Sequence, residues 1–312
     1  MGTFLNSPHS APCMADPIML GTVALDSIET PFGKIQDALG GSATFSSIAA
    51  SFFSKPGIIS IIGKDFPRQH LDFIRSKGID TDGIAIGNKT FRWSGYYEFD
   101  MNEAKTRSTE LNDLATYDAQ IPESYRGAKY VFLGNMDPVQ QLKVLESMKH
   151  PRLIVLDTMN FWIQNKKEDL MRAIKRADIL VCNDGEARQL FQTANLVKAA
   201  NKALELVSTA VIIKKGEHGA LLFTNDFHFS APGYPLEDIK DPTGCGDCFG
   251  GGFIGYLAHH NIMNAESMKK AVVYGSVVAS YNAEGFGTER LKTLTMDDIK
   301  QRYQIMKDIR EF

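Results

Sequence analysis

Between residues 241 and 247 the chain reads Asp-Pro-Thr-Gly-Cys-Gly-Asp, and Phe249, Phe253, Ile254 and Leu257 follow on one helical face. That spacing predicts a helix starting near Gly246. Gly244 and Gly246 leave the preceding backbone free to curl and aim N–H groups at an anion, and a helix N-terminus adds partial positive charge there. A carboxylate at Asp247, beside an anion site, is electrostatically awkward unless it handles a proton. The same residues also suit a glycine-rich turn whose Asp caps the helix. The residues alone leave these two readings even.

Other segments carry chemistry of their own. Asp26 closes the run Leu20-Gly-Thr-Val-Ala-Leu-Asp26, and strand ends are where open α/β sheets bind ligands. A carboxylate there accepts two hydroxyl hydrogen bonds. Leu39-Gly-Gly-Ser-Ala-Thr-Phe45 opens a helix with an apolar stripe of Phe45, Ile48, Ala49, Phe52 and Phe53. Asn183-Asp-Gly-Glu186 follows another apolar strand and, taken by itself, suits a helix N-terminus. No G-x-x-x-x-G-K-[ST] phosphate loop is present.

The elements that must position these residues are legible as well. Ile58–Ile62, Tyr130–Leu133, Leu153–Leu156, Ile179–Val181 and Val211–Ile213 are short apolar runs rich in β-branched residues. Helical spacings lie between them, as in Val139, Leu142, Leu145 and Met148, or Leu196, Ala199, Ala203 and Leu206. This alternation predicts parallel strands with helices on both faces. Thr90–Glu98 and the irregular stretch from Glu29 to Leu39 break the rhythm and predict a small projecting β-sheet. The chain has 312 residues, 34 Lys+Arg against 37 Asp+Glu and a formal charge of −3, which offers no basic face to nucleic acid. Its four cysteines, Cys13, Cys182, Cys245 and Cys248, are few, unevenly spaced and lack the His neighbours of a zinc site, and they read as reduced cytoplasmic thiols. No apolar run reaches the roughly 18 residues of a membrane helix. The Asn88-Lys89-Thr90 sequon is discounted for want of a secretion signal.

Taken in order from Pro17 to Gly287, these segments resemble the signatures of the ribokinase (PfkB) family of carbohydrate and nucleoside kinases. The resemblance implies an α/β fold, a ribokinase-like three-layer α/β/α sandwich with a mostly parallel central sheet and a small β-sheet lid. It divides the chain into a disordered extension over 1–16 and a single kinase domain over 17–312, with lid segments near 27–40 and 88–112. It implies an ATP-dependent kinase phosphorylating a hydroxymethyl group of a sugar or nucleoside, a carbohydrate being placed first. In these terms Asp247 is the general base, and Gly244, Cys245 and Gly246 form the backbone anion hole. Asp26, Gly40, Gly41, Ser42 and Phe45 meet the acceptor; Phe45 stands where most members carry an Asn. Asn183, Lys214, Lys215, Gly216, Gly219 and Tyr274 line the nucleotide. Glu186 and Asn183 hold Mg²⁺ through water, and Asp241, Thr243 and Gly285 hold a monovalent cation, K⁺. The expected partners are a small-molecule acceptor and a second copy of the chain through the lid, with neither nucleic acid nor membrane.

Two rival classes are set against this. Gly250-Gly-Gly-Phe-Ile-Gly255 spells a dinucleotide fingerprint, but inside a predicted helix rather than at a strand-to-helix turn. A sugar sensor on the same fold would need neither Asp247 nor the Asn-x-x-Glu pattern. Within the kinase reading, Phe91, Trp93, Tyr96 and Tyr97 suit a nucleobase, whereas Arg92, Lys105 and Arg107 suit a sugar phosphate.

Overall fold

The computed structural model describes residues 15–310. Its strands are β1 (Ile18–Leu20), β2 (Ala24–Thr30), β3 (Gly33–Gly40), β4 (Gly57–Gly63), β5 (Asp80–Gly87), β6 (Phe91–Tyr97), β7 (Ala104–Glu110), β8 (Tyr130–Leu133), β9 (Leu153–Asp157), β10 (Ile179–Asn183), β11 (Ala210–Lys214), β12 (Ala220–Phe223) and β13 (His228–Ala231). Nine of them form one sheet in the order β13-β12-β11-β10-β9-β8-β1-β4-β5. Every pairing from β11 to β5 is parallel, and β12 and β13 add an antiparallel edge.

The five apolar runs all lie in this sheet. They are apolar throughout because both faces are covered. In β8, Tyr130 and Phe132 enter one buried cluster, while Val131 and Leu133 enter the other. On the first face the helix Cys245–His260 packs against the helices Ser42–Ser51 and Ala265–Asn282. A side chain at Gly251 would run into the Ser46 carbonyl, so the glycines of the apparent dinucleotide fingerprint are a packing seam in mid-helix.

The remaining four strands form a second sheet, β3-β2-β6-β7. It takes in both irregular segments and stands over the C-terminal ends of the core strands. One expectation changes here. Asp26 does not end the first core strand; it is the third residue of β2, inside the small sheet. The chain leaves the core sheet after Leu20, and the next residue, Gly21, has no room for a side chain beside the Ser42 hydroxyl and the Ala43 N–H.

Of the expected N-terminal extension, residues 1–14 lie outside the described residues. Asp16 is built into the fold. Its N–H donates to the Lys55 carbonyl at 2.8 Å, and its carboxylate accepts the Tyr130 N–H at 3.0 Å. No helix among the described residues is long and apolar enough to cross a membrane.

Candidate active site

The helix Cys245–His260 begins where the sequence places it, with Gly244 at its N-cap in the left-handed region at φ 77°. A side chain at Gly244 would collide with the Phe45 ring, so close approach and backbone shape both call for glycine. The Cys245 N–H turns inward to the Pro242 carbonyl at 3.1 Å, while the N–H groups of Gly244 and Gly246 donate to no described residue. The loop therefore offers the two glycine N–H groups to an anion. Cys245 contributes a thiol that donates to Ala279 O at 3.4 Å, and burial pushes that thiol up to about 12. Asp247 sits in the first turn of the helix, half-buried, and its carboxylate takes no hydrogen bond from a described residue. Burial, then the Asp157 charge, raise it to about 7 against the pull of Lys214.

Beneath the loop lies a charged floor built on strand ends. Lys214 ends β11 and Asp157 ends β9; their ion pair is 2.7 Å long and nearly closed off from solvent. The Lys214 ammonium lies 3.0 Å from the position a Cβ would take at Gly246. Burial works against its charge, but Asp157 and Glu186 outweigh burial and hold it protonated. Glu186 is buried and is raised by that burial to about 8. Asn183 and Glu186 form a capping box for the helix Asp184–Phe191. Glu186 Oε2 accepts the Asn183 N–H and Asn183 Oδ1 accepts the Glu186 N–H, both at 2.7 Å. The floor thus gathers Asp157, Glu186 and Asp247 around one ammonium.

On the opposite side Asp26 is buried and raised to about 7 by burial, against the Gly41 N–H it accepts and with added repulsion from Asp241 and Asp247. Those repulsions mark Asp26 as a near neighbour of Asp241 and Asp247. Gly40 and Gly41 have no room for side chains, because Asp26 fills the space at Gly40 and the Thr22 carbonyl that at Gly41. Two expected acceptor residues are not available to one. Ser42 Oγ accepts the Thr22 N–H at 3.0 Å and donates to the Asn135 carbonyl at 3.2 Å, so it ties chain segments together. Phe45 is 1% exposed and serves as the floor under Gly244, where an apolar ring excludes water better than an Asn would.

The small sheet touches the motif loops directly. Thr243 Oγ1 donates to the Tyr97 hydroxyl at 3.1 Å, and Thr30 Oγ1 donates to the Lys240 carbonyl at 2.9 Å. Asn102, beyond the end of β6, lies within 3.7 Å of where a Cβ on Gly216 would stand. Gly216 and Gly219 both take positive φ, and the Lys215 N–H closes their loop onto Gly219 O at 2.7 Å. Asp241 is fully buried and accepts the Thr243 N–H at 2.9 Å and the Gly287 N–H at 3.0 Å. Gly287 rather than Gly285 is joined to Asp241; the Gly285 N–H donates to Asn282 O at 3.3 Å. Among the described residues Tyr274 makes no hydrogen bond to the loops above. It is stacked between Tyr256 at 4.8 Å and Tyr303 at 4.2 Å. Tyr256 is ten residues, roughly 15 Å, along the helix from Gly246.

Two residues were missed from the sequence. Asp157 follows an apolar strand, the same signal that singled out Asp26. Asn282 donates from Nδ2 to the Thr243 carbonyl at 2.7 Å, and its buried Oδ1 has no described partner. Its only signal was a polar residue in the last turn of an apolar helix.

Comparison with known proteins adds the following. The family model of the pfkB family carbohydrate kinases matches residues 29–294. The cytidine kinase of Thermococcus kodakarensis is 31% identical over 248 residues, 77% of this chain and 88% of that protein. The 5-dehydro-2-deoxygluconokinase of Photobacterium profundum is 26% identical over 326 residues, 93% of this chain and 96% of that protein. The crystal structure of the nucleoside kinase of Methanocaldococcus jannaschii, an archaeal member of the ribokinase family, superposes with a TM-score of 0.74. It shares 21% identity and covers 94% of this chain and 99% of that one.

Proposed function

The chain belongs to the pfkB family of carbohydrate kinases, and on that premise we propose that Asp247 deprotonates a hydroxyl of a sugar or nucleoside bound by Asp26 while the Gly244–Gly246 backbone steadies the incoming phosphoryl group. The enzyme is a phosphotransferase with an alcohol acceptor, and the family implies ATP and Mg²⁺. The carrying observation is the placement of Asp247. Among the described residues its carboxylate takes no hydrogen bond; it lies beside two glycine N–H groups that have no described partner, and it is close enough to Asp26 for the two charges to repel.

The chemistry follows from that placement. Asp26 accepts hydrogen bonds from acceptor hydroxyls and orients the reacting one. The acceptor oxygen forms its bond to the γ-phosphorus as the bond to the ADP oxygen breaks, and the hydroxyl proton passes to Asp247. The Gly244 and Gly246 N–H groups and the Lys214 ammonium balance charge on the transferring group. Lys215, Gly216 and Gly219 shape the nucleotide side of the cleft. The small sheet, touching both motif loops, acts as the lid of a single kinase domain and keeps water out.

The floor suits a divalent ion. Its ligands are oxygens, and three carboxylates surround a single ammonium. Among the described residues no three carboxylate, imidazole or thiol groups are set to hold a metal ion between them. Mg²⁺ would therefore be held at Glu186 and Asn183 through water and by phosphate oxygens. It supplies charge neutralisation of the phosphates when bound. A monovalent ion suits the second loop. Asp241 is a buried carboxylate with no ion pair within 4 Å among the described residues, and Asn282 Oδ1 beside it lacks a donor. K⁺ at Asp241, Thr243 and Gly285 would order the anion loop, and Asp241→Ala should erase any preference for K⁺ over Na⁺.

The relatives differ in the acceptor named for them, so the test is a screen. Purified protein with ATP and Mg²⁺ is offered ribose, fructose, fructose phosphates, adenosine, inosine and cytidine. Acceptor-dependent ADP formation is expected. Binding of an acceptor with no ADP formation from any of them would point to the sensor instead.

A further inference from the structure

The lid sheet has two unlike faces. Parallel pairing sets Asp26 opposite Trp93 and Ile28 opposite Gly95, so these four residues share a face. By strand alternation Tyr97 and Thr30 lie on that face too, and both bond the motif loops. It is therefore the face turned to the acceptor. On it the Trp93 indole lies across Gly95, where any side chain would overlap the ring. Trp93 Nε1 donates to Thr106 Oγ1 on β7 at 3.1 Å, which fixes the plane of the ring. The result is a flat aromatic surface one strand from Asp26.

The lid's cations are elsewhere. Arg92 is on the opposite face, paired with Asp37 and Asp65. Arg107 lies over the Tyr96 ring at 4.8 Å and pairs with Glu29 at 2.6 Å. Lys105, opposite Tyr96 in register, pairs with Glu98 at 2.5 Å. The face turned to the site offers one carboxylate, the hydroxyls of Thr30, Tyr97 and Thr106, apolar carbons and an indole. A phosphorylated sugar would find no counter-charge there and would meet Asp26.

We propose that the indole of Trp93, laid flat over Gly95 beside Asp26, is a stacking platform for the planar base of an uncharged nucleoside acceptor. A nucleoside matches the face at both ends. Its ribose hydroxyls reach the Asp26 carboxylate and its base covers the indole. This revises the order in which the sequence alone placed carbohydrate and nucleoside. The inference rests on the kinase reading for what happens to the nucleoside, but not for its binding.

The test is calorimetric titration of the wild-type protein and of Trp93→Ala, Trp93→Tyr and Gly95→Ala with cytidine, adenosine, inosine and free ribose. Circular dichroism checks folding. At least one nucleoside should bind wild type more than about 10-fold tighter than ribose. Trp93→Ala should lose about 5- to 100-fold for that nucleoside and change ribose binding little, in keeping with loss of base stacking. Trp93→Tyr should retain most of the preference. Gly95→Ala, which keeps the ring but lifts it off the sheet, should weaken it. Equal affinity of wild type for ribose and every nucleoside, or a folded Trp93→Ala with its preference intact, would overturn the proposal. Stacking on Trp93 without ATP-dependent phosphorylation of any acceptor would remove the kinase reading and leave this inference standing.

Discussion

The two walls of the cleft are built from opposite materials. The floor holds Asp157, Glu186, Lys214 and Asp247, four ionisable groups at the ends of core elements, with one ammonium shared among three carboxylates. The face of the small sheet that carries Asp26 holds that one carboxylate among hydroxyl, apolar and aromatic side chains, and Arg92, Lys105 and Arg107 are each paired with a carboxylate elsewhere on the sheet. Phosphoryl transfer needs charge held rigidly, and rigid charge is available where strands are locked by parallel neighbours. Recognition of an uncharged acceptor needs surface and shape, which a two-faced sheet can present and move. The floor should therefore govern rate and pH dependence, and the lid should govern affinity.

Substitutions can break that division, and the largest effect is expected at Asp247. Asp247→Asn keeps the shape and removes the base, so kcat should fall by on the order of 10²–10⁴ while ATP binding survives. Steady-state rates with the responsive acceptor, and calorimetry with ATP, check this. Next is Lys214→Met, which strands Asp157 as a buried unpaired charge. Urea unfolding should show a loss of ~3–5 kcal/mol. The double variant with Asp157→Asn should recover most of the stability but not the rate. Tyr97→Phe removes only the bond from Thr243. A hydrogen bond of ~0.5–1.5 kcal/mol predicts a 2- to 10-fold loss in kcat/KM for the acceptor. If that loss falls in kcat with KM unchanged, the lid contributes to chemistry as well as affinity.

The smallest effect is on stability and carries a sign. Asp247 moves from 3.8 to about 7 on folding, so the folded chain holds the extra proton between those values. Stability from this group is full below about pH 4 and is lost as pH rises through 7. Asp247→Asn removes that loss. For a half-exposed group this is about 1 kcal/mol, or ~2–3 °C in Tm at pH 8 and less at pH 5. An equal gain at both pH values would show that the charge is not strained.

Much of this was legible in the sequence because it depends on local pattern. The buried strands, the helix after Gly244, and the two segments that form the small sheet each follow from residues adjacent in the chain. Long-range partners were not legible. Asn183-x-x-Glu186 spells both a helix cap and an ion site, and only the folded position of Lys214 shows that the cap's Glu also faces the cleft. Gln141 lies off the stripe of Val139, Leu142, Leu145 and Met148. It is buried because its amide donates to the Gly134 and Asp157 carbonyls at 2.9 and 3.2 Å, while Val139 on the stripe is exposed. Tyr274 reads from the sequence as a nucleotide neighbour, and the pattern gives no sign of the two rings, Tyr256 and Tyr303, that stack on it in the fold.

Whether Asp247 works as a base whose proton affinity, raised first by burial, is tuned by the floor is read from pH profiles of kcat/KM for the acceptor. Wild type, Asp157→Asn and Lys214→Met are compared at saturating ATP and Mg²⁺. Asp157 raises Asp247 and Lys214 lowers it. The acid limb should therefore move down in Asp157→Asn and up in Lys214→Met, from a wild-type position near neutrality. A limb that stays in place in all three proteins, or moves the same way in both variants, would contradict the account.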